Sequence, residues 1–230
     1  MGSNSASRIL VVASHADDET LGVGGTIARR AAEGHEVHVA VVTGHVHEPP
    51  PRGARVVWDR IRDEAQRAIE VLGVHHLHFV EAPPTLTDPS VWDLNHTISA
   101  LLEKIEPDIV YAPFPFDLHK DHYKVFHALS VAWRSSTAVG RKVRAVYCYE
   151  VQSQLRWNAP PIEAGFTPNA WIDVSAHLDT KMRALACYKS QLRPVPDARS
   201  IEAVRALARW RGSQQGMAAA EAFVTIRLLE

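Results

Sequence analysis

The chain has 230 residues, 46% hydrophobic and 22% charged, with a formal net charge of −1. That is enough for one large α/β domain and short for two, and the near-neutral charge with no polybasic run excludes the electrostatic footprint of a nucleic-acid or anionic-membrane binder. The two cysteines, Cys148 and Cys187, stand in no CxxC spacing, which excludes a disulfide framework or thiolate-held zinc and fits a reducing cytoplasm. No run of 18 apolar residues offers a membrane span. The opening MGSNSASR has no apolar centre, so residues 1–8 are expected to form a disordered tail rather than a signal peptide, with 9–230 as a single domain.

Taken in chain order, Ile9–Ser14 is a short apolar run that predicts a strand. Leu21–Ala32 has helical spacing and stops at Gly34. Val37–Val42 predicts the second strand, Val57–Leu72 a helix ending at Gly73, and Leu77–Val80 the third strand. Val91–Ile105 places Leu94, Ile98, Leu101 and Leu102 on one helical face, and Asp108–Ala112 follows as strand four. A helix over Asp121–Trp133 and a fifth strand over Val143–Tyr149 complete the regular part. Residues 152–170 read as a long loop, followed by a short strand at Trp171–Val174, helices over Ser175–Ser190 and Ile201–Gln215, and a closing strand at Ala222–Leu228. Strands alternating with helices of this length predict an α/β, Rossmann-like fold: a mostly parallel sheet with helices on both faces and a more irregular C-terminal part.

In a sheet of order 3-2-1-4-5 the first and fourth strands are neighbours, and the crevice at their carboxyl ends is the usual ligand site. Two charged clusters follow those strands. Ser14-His15-Ala16-Asp17-Asp18-Glu19 puts three carboxylates directly after a buried strand, and Phe116-Asp117-Leu118-His119-Lys120-Asp121-His122 follows the other. Crowded carboxylates leave water only at high cost unless a cation compensates them. Imidazole with carboxylate suits zinc or ferrous iron, with a position left for water. One of Asp17 and Asp18 is then a ligand and the other faces the water as a base. One of His119 and His122 ligates and the other faces the substrate, while Asp121 orients an imidazole. Hydrolysis of an amide or ester is the natural reaction of such a site. Glu19 is explained by the helix dipole alone.

Gly22, Gly24 and Gly25 superficially suggest a dinucleotide-binding loop, but Ile27 stands where a third glycine belongs and the acidic cluster would repel a pyrophosphate. The glycines are read as allowing close helix–sheet packing or a tight turn. Of the 13 histidines, His35 and His38 flank one strand start and His75, His76 and His78 another; these are read as surface or core-edge residues.

The first cluster with its glycine-rich continuation through Ile27 resembles the opening of the PIG-L, or LmbE-like, N-acetylglucosaminyl deacetylases. Gly34-His35-Glu36-Val37, Arg62-Asp63-Glu64-Ala65, His119-Lys120-Asp121-His122 and the weaker Lys181…Ser190-Gln191 and Ala220-Glu221-Ala222-Phe223 fit the same pattern. The resemblance implies a zinc-dependent N-deacetylase in which His15, Asp18 and His122 hold the metal (Fe2+ as the other candidate). Asp17 would be the general base, His119 would stabilise the oxyanion, and Asp121 would support it. It implies a small soluble amino-sugar conjugate as substrate, with Arg62 in contact with it. Trp58, Phe116 and Trp157 are candidates for stacking on sugar, and Asp88 for binding its hydroxyls. Ala16 and Lys120 stand where the family usually has proline, and the loop after strand two departs from the family's acidic form. Other readings are an amidase acting on a larger thiol or N-acyl conjugate and a sugar-binding module without turnover. The sequence leaves open whether the chain is a monomer or a homo-oligomer.

Overall fold

A computed structural model describes residues 6–44, 54–82, 91–155 and 164–229. Seven strands form one sheet of order β3-β2-β1-β4-β5-β7-β6. They are β1 (Arg8–Ala13), β2 (Glu36–Thr43), β3 (His76–Ala82), β4 (Ile109–Pro113), β5 (Ala145–Tyr149), β6 (Ala170–Asp173) and β7 (Ala220–Leu228). The first five are parallel, in the order expected from the sequence. β7 runs antiparallel to both β5 and β6.

Alternation along the strands buries both faces, as a parallel sheet requires. Ile9, Val11, Val37 and Val39 pack with helices α1 (Asp18–Ala32), α2 (Ala54–Val71), α7 (Leu178–Leu185) and α8 (Ile201–Ser213). Leu10, Val12, Ala40 and Val42 pack on the other face against α3 (Val91–Ile105), α4 (Lys120–Ala132) and α5 (Ala138–Lys142). Among the boundaries that differ from expectation, two do so because bonds from residues distant in sequence override the pattern. β1 begins at Arg8, inside the stretch read as a disordered tail, because its N–H donates to Asp108 Oδ2 (2.8 Å) and its guanidinium to the Ile105 carbonyl (2.8 Å). The helix expected over Ser175–Ser190 is a 3₁₀ turn at Ser175–His177 followed by α7, which stops at Leu185. Beyond it Ser190 is held from outside the helix, its N–H and hydroxyl both donating to Glu64. The short helices α5 and α6 (Gln152–Leu155) were not expected; Thr137 caps α5 by accepting from the Gly140 N–H (3.0 Å).

The glycines of α1 are a packing device. A Cβ at Gly22 would run into the Tyr149 ring, and one at Gly25 would lie 2.8 Å from the Val174 Cβ. A Cβ at Gly24 would lie 3.3 Å from the Cγ of Lys181, which belongs to a buried ion pair that reaches into the middle of the helix. Lys181 Nζ donates to Glu221 Oε1 (2.6 Å) and to the Leu21 carbonyl (2.9 Å), while Glu221 accepts from the N–H groups of Gly25 and Thr26 (2.8 and 2.7 Å). Both side chains are 3% exposed. Removing one partner of such a pair strands a buried charge. Lys181→Met is therefore expected to cost about 3–5 kcal/mol in chemical denaturation, and Lys181→Met/Glu221→Gln, which removes the stranded charge but keeps an acceptor oxygen for only one of the two helix N–H groups, is expected to recover part of it.

Candidate active site

β1 and β4 are neighbours, so the turns after them meet at one crevice. At the first turn the chain leaves β1 and enters α1 through Asp17, whose backbone sits at φ 121°. That is a strained region for a residue with a Cβ, and strain of this kind collects at functional sites. Asp17 occupies the N-cap position of α1, yet its side chain makes no capping bond. The carboxylate most suited to cap the helix is turned elsewhere, to within 3.7 Å of Arg199 Nη1. Glu19 takes over the local work and is not a solvated first-turn acid. It is fully buried and accepts from the Asp17 N–H (3.1 Å), the Thr20 hydroxyl (2.6 Å) and the Tyr188 hydroxyl (2.6 Å).

Asp18 and the second turn converge. Asp18 Oδ2 accepts from the His15 N–H (2.8 Å) and lies 3.3 Å from His15 Nδ1 and 3.2 Å from His122 Nε2. His122 is fully buried, and among the described residues its Nε2 makes no well-aligned hydrogen bond, facing the Asp18 carboxylate at ion-pair distance instead. Its other nitrogen, Nδ1, is fixed by Asp117 Oδ2 at 2.6 Å. His15 Nε2 pairs with Asp121 Oδ2 at 2.9 Å, whereas that oxygen is 3.7 Å from His119 Nδ1. The Asp121 carboxylate thus lies nearer to His15 than to His119. His119 caps α4, its Nδ1 accepting from the Asp121 N–H at 3.3 Å. A neutral ring bonded in this way carries its proton on Nε2.

The electrostatics favour positive charge at this point. Burial works to lower the pKa of His15, but its bond to Asp121 and its pairing with Asp18 outweigh burial and raise it to about 9. For His122 the Asp18 charge and the Asp117 bond outweigh burial and raise it to about 10. The two histidines in turn overcome burial at Asp18 and hold its pKa well below the ordinary carboxylate value. Asp17 goes the other way: burial and the charge of Asp18 raise it to about 7 against the opposing pull of Arg199. Burial and the neighbouring His15 and His122 lower His119.

His15, Asp18 and His122 each offer a ligand atom, all within 4.8 Å of one another, and His15, His119 and Asp121 form an overlapping group. A divalent ion fits the first set. It would give His122 Nε2, which lacks a well-aligned hydrogen bond, a partner shared with Asp18, and Asp117 behind that ring is the outer-shell carboxylate that ligating histidines commonly have.

Of the residues expected to touch substrate, Arg62 lies with its guanidinium 4.5 Å over the Phe79 ring. With Trp58 and Ala16 it lines a small pocket next to the acidic turn. Phe116 is exposed on the loop after β4, edge-on to Phe114. Asp88 and Trp157 lie outside the described residues. Three contributors were missed. Asp117 was legible, standing two residues before His119. Tyr188 and Arg199 had no local signal, since only the fold carries them to Glu19 and Asp17.

With the geometry in view, comparison with known proteins is informative. Residues 10–133 match PIG-L, described as GlcNAc-PI de-N-acetylase. The chain belongs to this family. A relative, the diacetylchitobiose deacetylase of Thermococcus kodakarensis, is 25% identical over 82% of the chain and 71% of its own length. The 1D-myo-inositol 2-acetamido-2-deoxy-alpha-D-glucopyranoside deacetylase of Mycolicibacterium smegmatis is 27% identical over 87% of the chain and 86% of its own length. The fold is also that of GalB, the 4-carboxy-2-hydroxymuconate hydratase of Pseudomonas putida KT2440, with TM-score 0.76, 22% identity and coverage of 96% and 98%. A PIG-L-family chain thus shares its architecture with an enzyme of different chemistry, and the reaction has to be argued from the site.

Asp117→Asn keeps the size of the side chain and removes the charge behind His122. It is expected to weaken zinc binding by about 10–100-fold with the fold intact, as read by titration against a competing chelator and by circular dichroism.

Proposed function

We propose that this protein is a metal-dependent N-deacetylase that removes the acetyl group from an N-acetylglucosamine-type sugar in a small soluble conjugate in the cytoplasm, with zinc, or alternatively ferrous iron, as its ion. The observation that carries this reading is the buried triangle of His15, Asp18 and His122 with Asp17 beside it, uncommitted to its helix cap. The two deacetylases related in sequence are named for a chitobiose and for an inositol glycoside. They support an N-acetylglucosamine-type sugar as the common element and leave its carrier variable.

In this reading His15, Asp18 and His122 hold the ion, which supplies a Lewis acid that polarises the amide carbonyl and acidifies a water. Asp17, raised to about 7, takes a proton from the attacking water near neutral pH. His119, neutral and carrying its proton on Nε2, donates to the carbonyl oxygen as negative charge develops there. When the C–N bond breaks, a proton passes from this acid–base pair to the departing amine, so acetate and the free amino sugar leave. Asp121 fixes the imidazole of His15 and, through its N–H, the tautomer of His119. Arg62, in the pocket beside Ala16, and Phe116, exposed on the loop that leads to His119, are assigned to contact the sugar or its carrier.

Zinc-loaded protein incubated with a panel of N-acetylglucosaminyl conjugates is expected to release one acetate per amine formed. Asp17→Asn is expected to retain the metal and to lose roughly a hundredfold or more in turnover, the scale of a general base. Release of no acetate from any conjugate, or an Asp17→Asn enzyme of undiminished rate, overturns the assignment.

A further inference from the structure

The sheet brings together a second group of metal-type side chains far from the crevice. β2 and β3 are parallel and in register at their amino ends, where His38 pairs with His76 and Ala40 with His78. We propose that Glu36, His38 and His76, with His78 behind His38, form a separate binding site for a divalent transition ion of the zinc, nickel or copper class. His38 lies five residues before Thr43, whose hydroxyl bonds the Ser14 carbonyl beside the acidic turn, so the two sites are roughly 16 Å apart along the strand.

Four observations carry it. Glu36, His38 and His76 each offer a ligand atom, all within 4.8 Å of one another. Glu36 Oε1 and His38 Nε2 are 2.9 Å apart, which matches the separation of about 2.9–3.4 Å between two ligands that one ion holds at about 2.0–2.1 Å with a bond angle near 90–110°. His38 is nearly buried, and its Nδ1 lies 3.0 Å from His78 Nε2. Without an ion, His38 Nε2–H donates to Glu36 Oε1 and Nδ1 accepts from His78; an ion would take the place of the Nε2 proton, and Nδ1–H donating to His78 would then hold the ring as outer-shell partners hold a ligating histidine. The rings are close, with His38 stacked 4.4 Å from His76 and 5.3 Å from His78, and the exposed His76 ring would have to turn out of the stack to bring its in-plane lone pair onto the same ion.

The surrounding charges are compatible with an ion. Arg8 Nε binds the other Glu36 oxygen, Oε2, at 3.0 Å, so that cation is already paired and Oε1 remains directed at His38. Burial lowers the pKa of His38 despite its bond to Glu36, and burial together with nearby His38 and Lys104 lowers that of His78. Neutral imidazole is the ligating form. Glu36 and His76 are exposed, so solvent completes the coordination on the outer side. Two imidazole ligands and one carboxylate favour borderline ions over magnesium or calcium.

The test is metal stoichiometry. Chelator-stripped full-length protein is equilibrated with graded zinc, and bound metal per chain is counted by elemental analysis. The parent is expected to bind one equivalent more than His38→Gln/His76→Gln, while His96→Gln, which removes an exposed histidine elsewhere, leaves the count unchanged. The same one-equivalent difference is expected in an Asp18→Asn/His122→Gln background. The outcome therefore does not depend on whether the crevice holds metal. Substoichiometric copper is expected to broaden the imidazole resonances of His38, His76 and His78 first in the Asp18→Asn/His122→Gln protein. Equal counts in parent and His38→Gln/His76→Gln, with each variant folded by circular dichroism, overturn the proposal.

Discussion

The constraint on which the site depends is the burial of two adjacent aspartates at the end of a strand. Asp17 and Asp18 are 2% and 1% exposed, and two ionised carboxylates do not stay so close in a low dielectric without compensation. The fold resolves the conflict by treating them differently. Asp18 is given to His15 and His122 and held as an anion. Asp17 is turned away through a backbone with φ 121° and left with a proton affinity near neutrality, opposed by Arg199 and, less strongly, by His15. One residue then suits a permanent charge and the other suits a proton in transit. Neighbouring carboxylates driven to opposite behaviour by their surroundings are the usual mark of an acid–base site.

Holding that turn requires much of the chain. Glu19 receives the Asp17 N–H on one side and the Tyr188 hydroxyl, 169 residues away, on the other. The Lys181–Glu221 pair grips the carbonyl of Leu21 and the N–H groups of Gly25 and Thr26 within the same helix. Tyr149 donates its hydroxyl to the Val12 carbonyl just before the turn. The irregular C-terminal part is therefore the outer support of the crevice, and its buried polar bonds act on the same few residues of β1 and α1. Buried networks that are fully satisfied rigidify what they surround, and a site whose chemistry depends on a few tenths of an ångström gains from that.

The five parallel strands and their order were legible because each rests on a local apolar run between helices of ordinary length, and the two charged clusters were legible because they follow strands that this order makes neighbours. The packing role of the glycines was legible too, since an acidic cluster rejects a phosphate. What escaped depends on distance. Glu19 looks like a helix-dipole residue until Tyr188 is seen to reach it, and Arg199 is one arginine among many until the chain returns it to Asp17. The end of α7 was misjudged because the pattern through Ser190 stays compatible with a helix, while the bonds from Ser190 to Glu64 that hold the segment outside one come from another helix.

The histidines at the amino ends of β2 and β3 make the same point more sharply. Read singly, His38, His76 and His78 are core-edge residues with no common purpose, because sequence spacing says nothing about which strands pair or in what register. Parallel pairing of β2 with β3 fixes that register and turns two alternating patterns into one column of imidazoles. The same rule that sends Val39 and Val41 to one face of the sheet sends His38 to the other. Histidine at the crevice differs in kind. There His15 and His122 are enclosed with Asp18, Asp117 and Asp121 and drawn toward the cationic form, whereas at the rim burial of His38 and His78 with less acidic company draws them toward the neutral one. The number of carboxylates enclosed with each imidazole, more than the imidazoles themselves, distinguishes a centre that draws in positive charge, as a proton or as a divalent ion, from a surface clip that would hold an ion with less electrostatic support; both would ligate through neutral nitrogens.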